Sequence, residues 1–259
     1  MDIALGNILL AIDDGSTASF AQQQALDLAH KFRASLTVLL VGDEQSDFSD
    51  TIKFLRDFTS GKNIELTTLV VHGDFNTAVE EKERTGDYDV LVVGTSCTKS
   101  RLFKSPMCYN LATSITCPML LVKKTSAESR FGSLLLPLSK SPETRQKVKY
   151  AASIAKKFNS TIHILLLSKR NTKYEVETVE LFARQTERYL AERGIKYTVS
   201  ESFGENIASA TEAYSRKVKA DIVFVTVEPK YAYLGKDRHV KQWIKNGLIS
   251  MMTIPIQEY

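Results

Sequence analysis

Residues 8–41 read ILLAIDDGSTASFAQQQALDLAHKFRASLTVLLV, and residues 134–167 read LLLPLSKSPETRQKVKYAASIAKKFNSTIHILLL. The two segments align without a gap at an offset of 126, so that Ala29 falls on Ala155, Phe32 on Phe158 and Leu39 on Leu165. A repeat of this length makes half of the chain, not the whole, the unit to be explained. Each copy opens on a short aliphatic run, the pattern of a strand buried on both faces. Apolar residues at helical spacing follow: Phe20, Ala21, Ala25, Leu28, Ala29 and Phe32 in the first copy, Val148, Ala151, Ala152, Ala155 and Phe158 in the second. In the second copy Ser141-Pro142-Glu143 predicts a helix start, with a cap residue and then Pro at the first helical position. The copies differ where the strand meets its loop: the first has Asp13 and the second Ser139.

Outward from this pair the alternation continues. In the first half it predicts strands over 36–41, 64–72, 88–94 and 119–122, with helices near 49–59, 76–84 and 107–114. In the second half it predicts strands over 161–167, 196–201, 221–227 and 253–257, with helices near 174–192, 207–218 and 240–248. Strict β-α alternation with aliphatic strands predicts parallel sheets covered by helices on both sides. Tyr88–Val93 matches Ala220–Val225 at offset 132, and Pro118 is matched to Pro255 at offset 137. The expected organisation is a first domain over residues 1–124, a linker over 125–131 containing TSAESR, and a second, diverged domain over 132–259.

Composition sets bounds on function. With 43% hydrophobic and 25% charged residues in 259, the chain has the make-up of an ordinary globular protein. Its longest apolar runs have strand length, far below the roughly 20 residues of a membrane span, and no export signal is read at the start, so the expectation is cytoplasmic with no membrane partner. Three cysteines (Cys97, Cys108, Cys117) and four scattered histidines give no metal-ligand spacing. Up to Arg130 there are 13 Lys and Arg against 17 Asp and Glu; beyond it the balance is 21 against 13. That asymmetry reads either as a solvated surface or as a basic face for an acidic partner or anionic ligand. No nucleic-acid motif with interleaved aromatics accompanies it.

In an open parallel sheet of order 3-2-1-4-5, a ligand site forms beyond the C-terminal ends of strands 1 and 4, where the strand order reverses. In the first half these ends carry Asp13, a hydrogen-bond acceptor, and Gly94, which allows close backbone approach. Residues 95–105 add hydroxyls and three cations, Lys99, Arg101 and Lys104, ahead of a helix start. Such a loop holds an anion through backbone amides.

These features together, strand-Asp13-x-Gly15-Ser16, an Ala-rich first helix, Asp89-Val-Leu-Val-Val-Gly94 and Cys117-Pro118-Met-Leu-Leu-Val, resemble the universal stress protein family. Two copies in one chain resemble its tandem members. The resemblance implies an α/β fold of two five-stranded parallel-sheet (3-2-1-4-5) domains paired through their last strands as an intramolecular pseudo-dimer. It implies ATP or another adenine nucleotide as ligand, with Asp13 at the adenine or ribose, Val41 by the base and Val93-Gly94 opening the phosphate loop. Thr95, Lys104 and Ser105 complete the expected ligand set. The family signature is Gly-x2-Gly-x9-Gly-Ser/Thr, and this sequence departs from it: Cys97 takes the second glycine position, Ser105 the third, and Pro106 the hydroxyl position. Pro106 lacks the N–H that would face a phosphate.

The second half departs further, with Ser139 for the Asp, Thr226 for Gly94, Pro229 for the second glycine, and a loop over 228–238 read as longer. It reads either as a domain that pairs with the first and binds no nucleotide, or as one whose Tyr231, Tyr233 and Lys236 form a different site or partner surface. Three functions follow: a non-catalytic stress-response regulator acting through a ligand or protein partner, an adenine-nucleotide module in the first half, and a slow ATP hydrolase. The last needs a metal and a positioned water for which no residues are found. Further association of chains is left open, as is redox sensing at Cys97 and Cys108.

Overall fold

The computed structural model describes residues 3–13, 18–94, 107–123, 131–228, 238–246 and 249–257. The first half runs β1 (Asn7–Ile12), α1 (Ala18–Phe32), β2 (Ser35–Gly42), α2 (Ser49–Thr59), β3 (Leu66–His72), α3 (Phe75–Thr85), β4 (Val90–Gly94), α4 (Met107–Ser114), β5 (Met119–Val122). The second runs β6 (Ser133–Leu138), a 3-10 turn (Pro142–Arg145), α5 (Val148–Phe158), β7 (Thr161–Ser168), α6 (Lys173–Ala191), β8 (Lys196–Phe203), α7 (Ile207–Lys217), β9 (Ile222–Val227), α8 (Arg238–Asn246), β10 (Ser250–Pro255). All ten strands form one sheet, ordered β3-β2-β1-β4-β5-β10-β9-β6-β7-β8. Neighbours are parallel except β5 and β10, which are antiparallel.

The aliphatic strands read as they do because each feeds two cores. Ile8, Leu10 and Ile12 of β1 pack into the layer built with α1, α2, α5 and α6. Leu9 and Ala11 point to the opposite layer, with residues of α3, α4, α7 and α8. The outermost strands β3 and β8 are half exposed, as sheet edges are. Among the described residues no helix is long and apolar enough to cross a membrane.

The repeat is visible in specific contacts. Asp89 accepts the backbone N–H groups of Gly6 (2.6 Å) and Asn7 (2.9 Å), which fixes the start of β1 beside β4. Its counterpart Asp221 accepts the N–H of Ser133 at 2.9 Å and fixes β6 beside β9 in the same way. Lys31 lies over the ring of Phe158 at 5.9 Å, and Lys157 over Phe32 at 5.4 Å, so α1 and α5 exchange equivalent contacts. The last strands do likewise. Leu91 pairs with Met119 and Val223 with Met251, so the offset between β5 and β10 is 132. At that offset the pairs Met119–Thr253 and Leu121–Met251 are equivalents of each other, and Leu120–Met252 joins a residue to its own counterpart. Such reciprocity is the mark of an isologous contact.

Register corrects the alignment of Pro118 with Pro255. The offset stays at 132 through the last strand, so Ser250 is the counterpart of Pro118 and the strand is Ser250–Pro255, not 253–257. Pro255 sits past the segment that pairs with β5, where a missing N–H is tolerated. Nor is the second post-β4 loop the longer one: 95–106 separates β4 from α4, and 228–237 separates β9 from α8. Ser141-Pro142-Glu143 opens only the 3-10 turn, and the α-helix begins at Val148. The Ser141 side chain makes no cap bond to the backbone but donates to the Glu143 carboxylate, which leaves the start uncapped. Phe131, the last residue read as linker, is fully buried and stacks on Phe158 with centroids 4.4 Å apart.

Candidate functional site

The strand order reverses at β1, which pairs with β2 on one side and β4 on the other. Ile12 lies opposite Leu40 and Ala11 opposite Val93, so Asp13 follows β1 between the ends of those neighbours. Asp13, Val41, Val93 and Gly94 are thereby brought to three adjacent strand ends, with Asp13 partly exposed at the rim. Val41 is 3% exposed and Val93 fully buried, both in the core layer with Phe75 and Val79. Their side chains therefore form the floor of the crevice rather than its wall. Thr95, Lys104 and Ser105 lie outside the described residues, as do Cys97, Lys99, Arg101 and Pro106.

One wall was missed from sequence. Beyond β2, Asp43 accepts the N–H of Gln45 (2.9 Å) and the hydroxyl of Ser46 (3.1 Å), closing a tight turn. The Gln45 N–H, then the Ser46 hydroxyl, hold the Asp43 carboxyl below its usual range. A Cβ on Gly42 would fall within 2.4 Å of the Ser46 oxygen, so the turn requires glycine there. The signal was Gly42-Asp43 with Ser46, a turn composition at the end of a strand. Below the crevice, Glu83 of α3 is buried and accepts from Thr116 N–H (2.9 Å), Thr116 hydroxyl (2.7 Å) and Cys117 N–H (3.0 Å). These bonds seat the approach to β5. Burial first, then the Glu83 charge, pushes the Cys117 thiol far up, away from thiolate chemistry. Cys108 is also fully buried.

The equivalent crevice of the second half is built from different chemistry. Ser139 follows β6 and Thr226 stands in β9; both are partly exposed. They border a cleft of about 70 Å³ whose lining includes Thr144, Lys147, Ile207 and Trp243. Lys147 immediately precedes α5 and is 3% exposed. Burial drops its amine to about 7, and no carboxylate opposes that effect. Glu175, in the first turn of α6, accepts from Lys140 (2.6 Å), Ser168 (2.7 Å) and the Arg170 N–H (3.3 Å), and these bonds, Lys140 first, hold it at about 2. Tyr231, Tyr233, Lys236 and Pro229 lie outside the described residues. Among the described residues no group of three His, Cys, Asp or Glu is placed to hold a metal.

No family model matches the sequence, and no curated protein does. Solved structures match the whole fold. A universal stress protein from Archaeoglobus fulgidus DSM 4304 superposes with a TM-score of 0.76 at 13% identity, covering 98% of this chain and 100% of its own. A putative universal stress protein from Pseudomonas aeruginosa UCBPP-PA14 gives 0.72 at 17% identity, covering 97% and 94%. The cytoplasmic domain of a prokaryotic cation chloride cotransporter gives 0.62 at 9% identity, covering 96% and 94%. This chain therefore has a universal-stress-protein-like fold.

Proposed function

We propose that this protein is a non-catalytic regulator of the stress-response type, built as an intramolecular pseudo-dimer of two domains, residues 1–124 and 132–259, joined by the linker 125–131. Its first crevice takes an adenine nucleotide and its second does not. The observation that carries this reading is the asymmetry of the two strand-reversal points. One sets a carboxylate, Asp13, beside a residue without a side chain, Gly94. The other sets Ser139 and Thr226 there, with a buried lysine.

The described residues fit the adenosine part of such a ligand. Asp13 supplies an acceptor for a ribose hydroxyl or an exocyclic amine, Val41 and Val93 give an apolar floor, and Gly94, itself buried, puts no side chain in the way. The phosphate part rests on Thr95, Lys104 and Ser105. Cys97 and Ser105, in place of family glycines, put side chains where the backbone must come close, and Pro106 removes a hydroxyl and an N–H, donors worth about 1.5–3 kcal/mol each when charge-assisted. The reading thus favours AMP-like ligands at least as much as ATP.

Thermal-shift titration with AMP and ATP tests it. The expected result is stabilisation by one of them that disappears in Asp13→Ala, with no phosphate release above a no-protein control. Silence across both nucleotides in the wild-type protein defeats the nucleotide reading and leaves a protein partner as the route of action.

A further inference from the structure

We propose that the second crevice is a binding site for a small oxyanion, held by the Lys147 ammonium with the hydroxyls of Ser139 and Thr226 beside it. This does not depend on the nucleotide reading of the first crevice. Lys147 occupies the position of Ala21 in the repeat, on the face of the helix that packs against the sheet. A charged group in that position needs a partner or loses its charge. Among the described residues its ammonium has neither a hydrogen-bond nor an ion-pair partner.

The surroundings select the ligand. Of the described residues lining the cleft from β6, the 3-10 turn, β7, α7, β9 and α8, Lys147 is the one that titrates, and none is acidic. Glu175 does not line the cleft, and its carboxylate is held by Lys140 and Ser168. Thr144 donates its hydroxyl to the Ser141 carbonyl at 2.8 Å, so its proton is engaged. The hydroxyls of Ser139 and Thr226 are the donors left for a ligand. Ile207, in the first turn of α7, adds the positive end of a helix dipole to the same wall. About 70 Å³ holds a few waters or one small anion and excludes a nucleoside. The shared chemistry is a tetrahedral or planar oxyanion, from a phosphate or sulfate group or from a carboxylate.

The test is thermal unfolding of the full chain at pH 6 in sodium sulfate or sodium acetate, against sodium chloride at matched ionic strength. One oxyanion is expected to raise Tm by several degrees beyond chloride and to saturate in the millimolar range. A sulfate response assigns the phosphate-type source; an acetate response assigns the carboxylate source. The effect should vanish in Lys147→Met and weaken severalfold in Thr226→Val, which keeps the shape of the strand. Because the ammonium is the binding form, apparent affinity should fall about thirtyfold between pH 6 and 8.5. A response equal to that of chloride, or one unchanged in Thr226→Val and Lys147→Met alike, overturns the proposal.

Discussion

The two crevices occupy the same place in two copies of one scaffold, yet one presents a carboxylate and the other a buried amine. Much of the scaffold is shared, although α2 (Ser49–Thr59) is shorter than α6 (Lys173–Ala191). Asp89 and Asp221 each hold the start of a strand, the first through two N–H groups and the second through one, Lys31–Phe158 and Lys157–Phe32 exchange across the helices, and the last strands pair reciprocally. Divergence at the strand-reversal points, set against contacts kept elsewhere, separates what the pairing of halves requires from what each half presents there. It also gives the pairing a purpose apart from binding, since a half with Ser139 and Thr226 in place of Asp13 and Gly94 still completes the ten-stranded sheet.

The largest expected effect comes from removing the amine that sets the second crevice apart. Unfolding returns Lys147 from about 7 to its ordinary basicity near ~10.4. Between those values the unfolded chain holds a proton that the folded chain has released. Stability therefore rises with pH from about 7 to 10 and is flat below 7, in oxyanion-free buffer. Lys147→Met should abolish that slope and stabilise the protein by about 2–4 kcal/mol at pH 6, measured by urea unfolding. A destabilised Lys147→Met with the slope intact would mean the amine is not buried uncharged.

A smaller effect tests the symmetry of the scaffold. Asp89→Ala and Asp221→Ala should each cost about 1–2 kcal/mol, Asp89→Ala somewhat more, because Asp89 holds two N–H groups at a strand start and Asp221 holds one. A large inequality would show that one half carries the stability of the chain. The smallest effect is at the helix contact: Lys31→Ala and Lys157→Ala should each cost about 0.5 kcal/mol. Both losses should shrink as the partner ring is removed in a double-mutant cycle.

How much of this was legible in sequence depends on what each residue signals. The repeat at Ile8–Val41, with its aliphatic strands, carried the parallel sheet and the two helical layers, because burial on both faces leaves a continuous apolar run, whereas the strand order came from the family resemblance. Pro118 and Pro255 misled the alignment of the last strand, since a proline marks a strand end without marking which residue pairs across it. Ser141-Pro142 misplaced a helix start, because the same residues that cap an α-helix also open a 3-10 turn. Topology and the family resemblance both pointed to Asp13 and Gly94, and the strand order puts both at the ends of adjacent strands. Lys147 was missed: it stands among Lys149, Lys156 and Lys157, and composition does not say which lysine turns inward. Its alignment with Ala21, a core position of the first copy, was the signal.

Calorimetric titration of the intact chain with AMP or ATP, read for stoichiometry, tests the central claim most directly. One site per chain, lost in Asp13→Ala and retained in Lys147→Met, is the result expected of one nucleotide crevice and one that has changed its chemistry. Two sites per chain, or a single site that survives Asp13→Ala and disappears in Lys147→Met, would contradict it.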